Sequence, residues 1–163
     1  GDFDSTINSN RLDCLYITLP SEKDFTDTEA AINHAIELGI RDITVYGGIG
    51  GRLDHTFGNV GLLEKYLGKL DHLEFMDEKN SMQLLDGESC STTILTPISN
   101  YRFFSLVSLD SAADGVSITG AKYNLDNASI SRASTLCISN EIILNQAHIS
   151  VHSGKVLLIR SAD

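Results

Sequence analysis

Apolar positions in the first half of the chain alternate between two rhythms. Leu12 to Leu19, centred on Cys14-Leu15-Tyr16-Ile17, suits an interior strand. Thr26 with Glu29 three residues on makes a capping box. Ala31, Ile32, Ala35, Ile36 and Leu38 follow at helical spacing, so a helix is predicted over 27–38, with Gly39 stopping it. The run from Asp42 to Tyr46 predicts a strand. Leu62, Leu63, Tyr66, Leu67 and Leu70 mark the face of a second helix over 62–70. His72 to Met76 is a further short strand. The run from Ser81 to Leu85, flanked by turns at Asn80 and Asp86-Gly87, reads as a hairpin arm. Strand, helix, strand, helix, strand in that order predicts parallel strands joined by right-handed crossovers.

The rhythm changes near residue 90, and a boundary is expected between about 86 and 97 on this shift of pattern. Short β-prone runs follow at 92–95, 102–108, 116–119, 128–130, 134–138, 147–151 and 155–160, with turns at Asp114-Gly115, Asp126-Asn127 and Ser153-Gly154. Such spacing predicts a sandwich or barrel. The expected fold class is therefore α/β with a parallel sheet over 1–90, followed by an all-β sandwich or barrel over 91–163.

Charge sharpens this division. Residues 1–90 hold 17 acidic and 7 basic side chains, whereas 91–163 hold 5 of each, so the whole net charge of -10 lies in the first part. That balance argues against nucleic acid as a partner and suits magnesium with a polyphosphate. No apolar run approaches membrane-spanning length, so no membrane partner is expected. Three widely spaced cysteines, Cys14, Cys90 and Cys137, point to a reducing, cytoplasmic setting without a disulfide framework.

The stretch Gly47-Gly48-Ile49-Gly50-Gly51-Arg52-Leu53-Asp54-His55 joins a strand to a helix. A glycine-dense turn there lets backbone amides approach a phosphate, and Arg52 adds a planar fork of donors. The Walker lysine followed by Ser or Thr is absent, and Leu53 stands where the dinucleotide spacing requires glycine. A sharp turn with charged residues facing water remains the plain alternative. In a parallel sheet the loops at 20–27 and 47–55 leave from one end, and Gly1-Asp2-Phe3-Asp4-Ser5 would join them there. Asp2, Asp4, Asp24, Asp27 and Asp54 then converge beside Arg52, and carboxylates so gathered need a cation. Helix capping is the plain role for Asp27. His148 and His152 read as non-metal histidines. Lys122-Tyr123 and Ser139-Asn140-Glu141 are polar groups at strand ends, suited to a small molecule or to ordinary turns.

Taken in order, Gly-Asp-Phe-Asp-Ser at 1–5, Lys-Asp-Phe-Thr-Asp-Thr-Glu at 23–29, Gly-Gly-Arg-Leu-Asp-His at 50–55, Thr-Gly-Ala-Lys-Tyr-Asn-Leu at 119–125 and Ser-Asn-Glu at 139–141 resemble the thiamine pyrophosphokinase family over essentially the whole chain. The resemblance implies transfer of pyrophosphate from ATP to the hydroxyethyl group of thiamine, with magnesium, giving thiamine diphosphate and AMP. It implies a homodimer with shared active sites. It makes Asp2, Asp4, Asp24, Asp27 and Asp54 the catalytic carboxylates, with Asp2, Asp4, Asp27 and Asp54 on magnesium. It sets Gly50, Gly51, Arg52, His55 and Asn59 on the ATP side, and Ser139 and Asn140 on the thiamine side. It also implies a preceding strand with an Ala-Asp-Gly-Gly motif before Gly1, so that the α/β part is truncated. The tryptophan stacker of some members has no counterpart, since the chain holds no Trp. Two alternatives accompany it: an inactive, thiamine-binding or structural remnant, and a magnesium-dependent phosphohydrolase.

Overall fold

The computed structural model describes residues 19, 20, 22–89 and 91–163. The expected strand at 12–19 and the carboxylates Asp2 and Asp4 lie outside the described residues, save Leu19, which is in no regular element. The chain divides into two compact units, 1–41 and 42–163.

In the first unit, helix α1 runs Asp27–Glu37. The N-cap bond of the capping box is realised, with the Thr26 hydroxyl accepting from the Glu29 amide at 3.2 Å. Ile32 is buried on this helix, Ala35 and Ile36 are half-buried, and Leu38 is exposed. Gly39 ends it at φ +83°, a left-handed conformation that costs glycine little.

The second unit opens with strand β1 (Asp42–Tyr46), helix α2 (Leu53–Lys65) and strand β2 (His72–Met76). β1 and β2 pair in parallel, Asp42 opposite His72 and Tyr46 opposite Met76. The helix packs on β2 and on β3 (Asn80–Asp86), burying Leu62, Leu63 and Tyr66, while Leu73 and Phe75 of β2 are buried in turn. α2 starts nine residues before the predicted 62 and ends at Lys65, so Asp54, His55 and Asn59 are helical.

After a one-turn 3-10 helix (Gly87–Ser89) come β4 (Thr92–Leu95), β5 (Phe103–Ser108), β6 (Ala112–Thr119), β7 (Leu125–Ser131), β8 (Asn140–Glu141), β9 (Ala147–Ser150) and β10 (Lys155–Ser161). The six-stranded sheet has the order β1-β2-β3-β10-β5-β8, and the four-stranded sheet the order β4-β9-β6-β7. One apolar core draws on both: Leu85, Phe104, Leu106, Val156 and Leu158 from the first, Leu95, Val116, Ile118, Ile130 and Ile149 from the second.

These orders correct the expected fold class. The first sheet is mixed and not parallel. A three-residue link takes β2 into β3, and a connection that short returns the chain antiparallel. β10 then runs antiparallel to β3 on one side and to β5 on the other. Among the described residues neither sheet closes into a barrel: β4 and β7 end the four-stranded one. Strands expected to build a separate all-β fold instead extend the sheet begun by β1–β3, because β10 satisfies the β3 edge. The remaining strands form an antiparallel sheet against it.

Three smaller expectations also change. The turn expected at Asp126-Asn127 lies inside β7, with Asn127 at φ +46°. Residues 134–138 form turns and no strand. Asp114-Gly115 is no chain reversal but a shift of register inside β6, with Gly115 at φ +66°.

Candidate functional site

The glycine loop leaves the carboxyl end of β1, beside the carboxyl end of its parallel neighbour β2. Gly47, Gly50 and Gly51 have φ of +81°, +90° and +61°, a conformation that L side chains rarely adopt. Gly48 needs its glycine for another reason. A Cβ there would overlap Cδ1 of the fully buried Phe75 and lie 3.2 Å from Asn59 Nδ2.

The loop is pinned from several directions. The Gly47 amide donates to Met76 O at 3.0 Å, and the Gly50 amide to the Thr56 hydroxyl at 3.2 Å. Asn59, buried on α2, donates from Nδ2 to Gly48 O at 2.7 Å. Asn59 thus works from beneath the loop, shaping it from the helix it leads into.

Arg52 and Asp54 form a fork at the mouth of the loop. Nε lies 3.2 Å from Oδ1 and Nη2 lies 2.6 Å from Oδ2, and both side chains are largely exposed. The His55 amide also donates to Asp54 Oδ1, at 3.0 Å. The Arg52 hydrogen bond is the main cause holding the Asp54 carboxyl down to about 2. Asp54 is therefore ionised across the physiological range and is a weak proton acceptor. Arg52, beside it, is pushed further up. His55 is exposed on the first turn of α2.

Asp24 and Asp27 belong to the first unit. Asp24 is exposed, and Asp27 opens α1 with Lys23 Nζ 2.7 Å from its Oδ1. Among the described residues no group of three or more His, Cys, Asp or Glu side chains is placed to hold a metal ion. Ionised carboxylate oxygens such as those of Asp54 are nonetheless the hard donors magnesium takes.

Ser139 and Asn140 lie in the second unit. Ser139 is exposed at φ +59°, and its amide donates to the Ser105 hydroxyl at 3.0 Å. Asn140 is buried and both ends of its amide are bonded: Oδ1 accepts from Tyr123 N at 3.0 Å and from Glu141 N at 2.9 Å, and Nδ2 donates to Tyr123 O at 2.8 Å. This clamp presents the Tyr123 ring, 56 % exposed, with Lys122 Nζ 5.6 Å from its centroid. Glu141 takes Lys122 Nζ at 3.0 Å and Arg102 Nε at 3.1 Å, and the two cations lower its carboxyl pKa.

One residue beside the loop is not marked by the sequence pattern. Asp77, directly after β2, has Oδ2 3.7 Å from the place a Cβ on Gly50 would take. Its signal was the acid at the end of a strand parallel to the glycine-loop strand.

No helix among the described residues is long and apolar enough to cross a membrane. Residues 1–74 match the thiamin pyrophosphokinase catalytic domain and residues 91–156 match the vitamin B1 binding domain of the same family. Thiamine pyrophosphokinase of Bacillus subtilis is 32% identical over 169 residues, covering 100% of this chain and 77% of the relative. Its crystal structure superposes with a TM-score of 0.80 at 33% identity over 87% of this chain. The thiamin pyrophosphokinase structure from Geobacillus thermodenitrificans gives 0.78 at 40% identity over 88% of this chain. The chain spans 65% of the length of each of those two structures. Sequence motifs, both halves of the fold and the relatives agree, and the chain belongs to the thiamin pyrophosphokinase family, transferases that pass pyrophosphate from ATP to thiamine.

Proposed function

We propose that this chain transfers pyrophosphate from ATP to the hydroxyethyl oxygen of thiamine, with residues 1–90 serving the nucleotide and 91–163 the vitamin. The observation that carries the reading is the Arg52–Asp54 fork on a glycine loop at the carboxyl edge of two parallel strands, where α/β sheets hold ligands.

In this reading Gly50, Gly51 and Arg52 face the polyphosphate, with His55 and Asn59 on the same side. Arg52 offers a planar donor fork that part of Asp54's charge now occupies. Asp2, Asp4, Asp27 and Asp54 would hold magnesium, which when bound neutralises phosphoryl charge. In this reading Asp24 would serve as a further catalytic carboxylate. The thiamine oxygen forms a bond to the β-phosphorus and gives up its proton to solvent water, and the bond from that phosphorus to the α-phosphate oxygen breaks, its electron pair leaving with AMP. Asp54, held near 2, suits holding charge and not taking the hydroxyl proton. Tyr123, its backbone fixed by Asn140, offers a flat face to an aromatic ring, and Ser139 lies at the same strand end. The exposed side chains of Tyr123, Leu136, Ile138, Ile143 and Leu144 support a second copy closing the site as a homodimer. Buried Cys137, a free thiol, supports a cytoplasmic setting.

The test follows AMP formation from ATP and magnesium, with and without thiamine. AMP is expected only with thiamine, and Asp54→Asn should lower turnover about a hundredfold with an unchanged melting temperature. Phosphate release without thiamine would instead show a phosphohydrolase, and thiamine binding without AMP a non-catalytic remnant.

A further inference from the structure

β1 and β2 lie side by side in parallel and end together, Tyr46 opposite Met76. The residues that follow them, Gly47 and Asp77, therefore stand at one edge of the sheet, with neighbouring strands about 4.8 Å apart. Asp77 is held firmly there. Its Oδ1 accepts from the amides of Lys79 at 2.8 Å and Asn80 at 2.6 Å. Its amide donates to Asn80 O at 2.8 Å, and its carbonyl accepts the Tyr101 hydroxyl at 2.6 Å. Backbone and one carboxylate oxygen are thus fixed by the link between β2 and β3.

The second oxygen is left over from that turn. Oδ2 has no hydrogen-bond partner among the described residues and faces the glycine loop, 3.7 Å from a Cβ position on Gly50. Gly48 is seated on Phe75 and Gly47 is bonded to Met76, so the loop and the end of β2 form one built edge. An ionised carboxylate oxygen only accepts hydrogen bonds. Its best neutral partners are hydroxyl groups, which make short, charge-assisted bonds to it.

We propose that Asp77 Oδ2 accepts from the vicinal hydroxyls of the nucleotide's ribose and makes the site selective for ribonucleotides. This rests on the reading of the glycine loop as the place of the polyphosphate. An acid at the end of the strand beside a glycine-loop strand is the arrangement with which dinucleotide-binding sheets take a ribose. Here it arises on a loop that lacks their glycine spacing. The turn that fixes Oδ1 is what keeps Oδ2 turned toward the glycine loop.

The test measures binding of ATP and 2′,3′-dideoxy-ATP to the full chain by calorimetry in magnesium, for the natural protein and for Asp77→Asn. Asparagine keeps an oxygen for the Lys79 and Asn80 amides and replaces only the outward acceptor. The natural protein should bind ATP about tenfold or more tightly over the dideoxy compound, as one charge-assisted bond allows. Asp77→Asn should weaken ATP about tenfold, leave dideoxy-ATP unchanged and leave the magnesium dependence of both unchanged. Equal binding of the two nucleotides by the natural protein overturns the proposal, whatever the variant does. Equal loss of both nucleotides in the variant, or a changed magnesium requirement, also overturns it in favour of a metal or turn role. Absence of ATP binding altogether would remove the reading of the loop itself, an outcome distinct from ATP binding without sugar selectivity.

Discussion

Adding one methyl group at Gly48 isolates the contact that seats the glycine loop. Gly48 does not need a left-handed backbone, so alanine brings no strain of that kind. Its Cβ would overlap Phe75 Cδ1, stand 3.1 Å from Cε1 and 3.2 Å from Asn59 Nδ2. Phe75 is fully buried on β2 and its ring has nowhere open to turn. Overpacking of this sort costs about 1–3 kcal/mol. The smaller freedom of alanine in the unfolded chain returns about 0.4–1 kcal/mol. Overlap with a fully buried ring belongs in the upper half of the overpacking range, so a net loss of about 1–2.6 kcal/mol remains, which at a urea dependence of about 2 kcal/mol/M lowers the midpoint by about 0.5–1.3 M. Phe75→Leu should then cost less in the Gly48→Ala background than alone, because the ring edge that clashed has gone. A coupling of at least about 0.5 kcal/mol is expected. ATP affinity should fall with Gly48→Ala and recover in part in the double variant. Gly48→Ala with an unchanged urea midpoint, or strict additivity with Phe75→Leu, would refute the idea that Phe75 seats the loop.

Two further predictions concern charge and polar burial. Asp54 has a depressed folded-state pKa of about 2 against 3.8, so the Arg52 pair is fully present above about 3.8 and is lost as pH falls through 2. In Arg52→Ala the carbon resonance of the Asp54 carboxyl should titrate back near 3.8, and a midpoint left near 2 would show that Arg52 is not the cause. Asn140→Asp should lose the bond to Tyr123 O and set a carboxylate against that carbonyl, costing about 1–3 kcal/mol in urea unfolding. Ser139→Gly, relieving a left-handed serine, should not destabilise; unchanged stability in Asn140→Asp would deny the clamp.

Local signals were legible where a single residue pair carried them. Thr26 and Glu29 placed the start of α1 because the cap is a contact three residues long. The start of α2 was hidden for the converse reason. Arg52 stands at its N-cap without a capping side-chain bond, and Gly58 and Gly61 dilute its first turns. Apolar spacing that begins only at Leu62 places Asp54, His55 and Asn59 on a loop, although the structure sets them on the first two turns of α2. Residues 134–138 carry β-prone side chains, yet Ser139 at φ +59° and the two-residue β8 leave them no ladder. Beyond the parallel β1–β2 pair, strand order was not legible: nothing near Asn80 or Lys155 announces that β3 and β10 are partners. The glycine loop was found as a candidate from composition, but Asp77 needed the β1–β2 register, which is a fact of pairing and not of spacing.

The β3–β10 pairing also sets the order in which this fold can be made. As a ribosome extends the chain at about 5–20 residues per second, β3 emerges roughly 70 residues ahead of its partner and keeps an open edge for several seconds. During that interval the bare strand Asn80–Asp86, with Met82, Leu84 and Leu85 on it, is a template for any other extended chain nearby. Nascent chains stalled before Lys155 should therefore be the ones captured by chaperones or proteases, and the glycine loop, whose seat is the neighbouring strand, would reach its working shape late in synthesis.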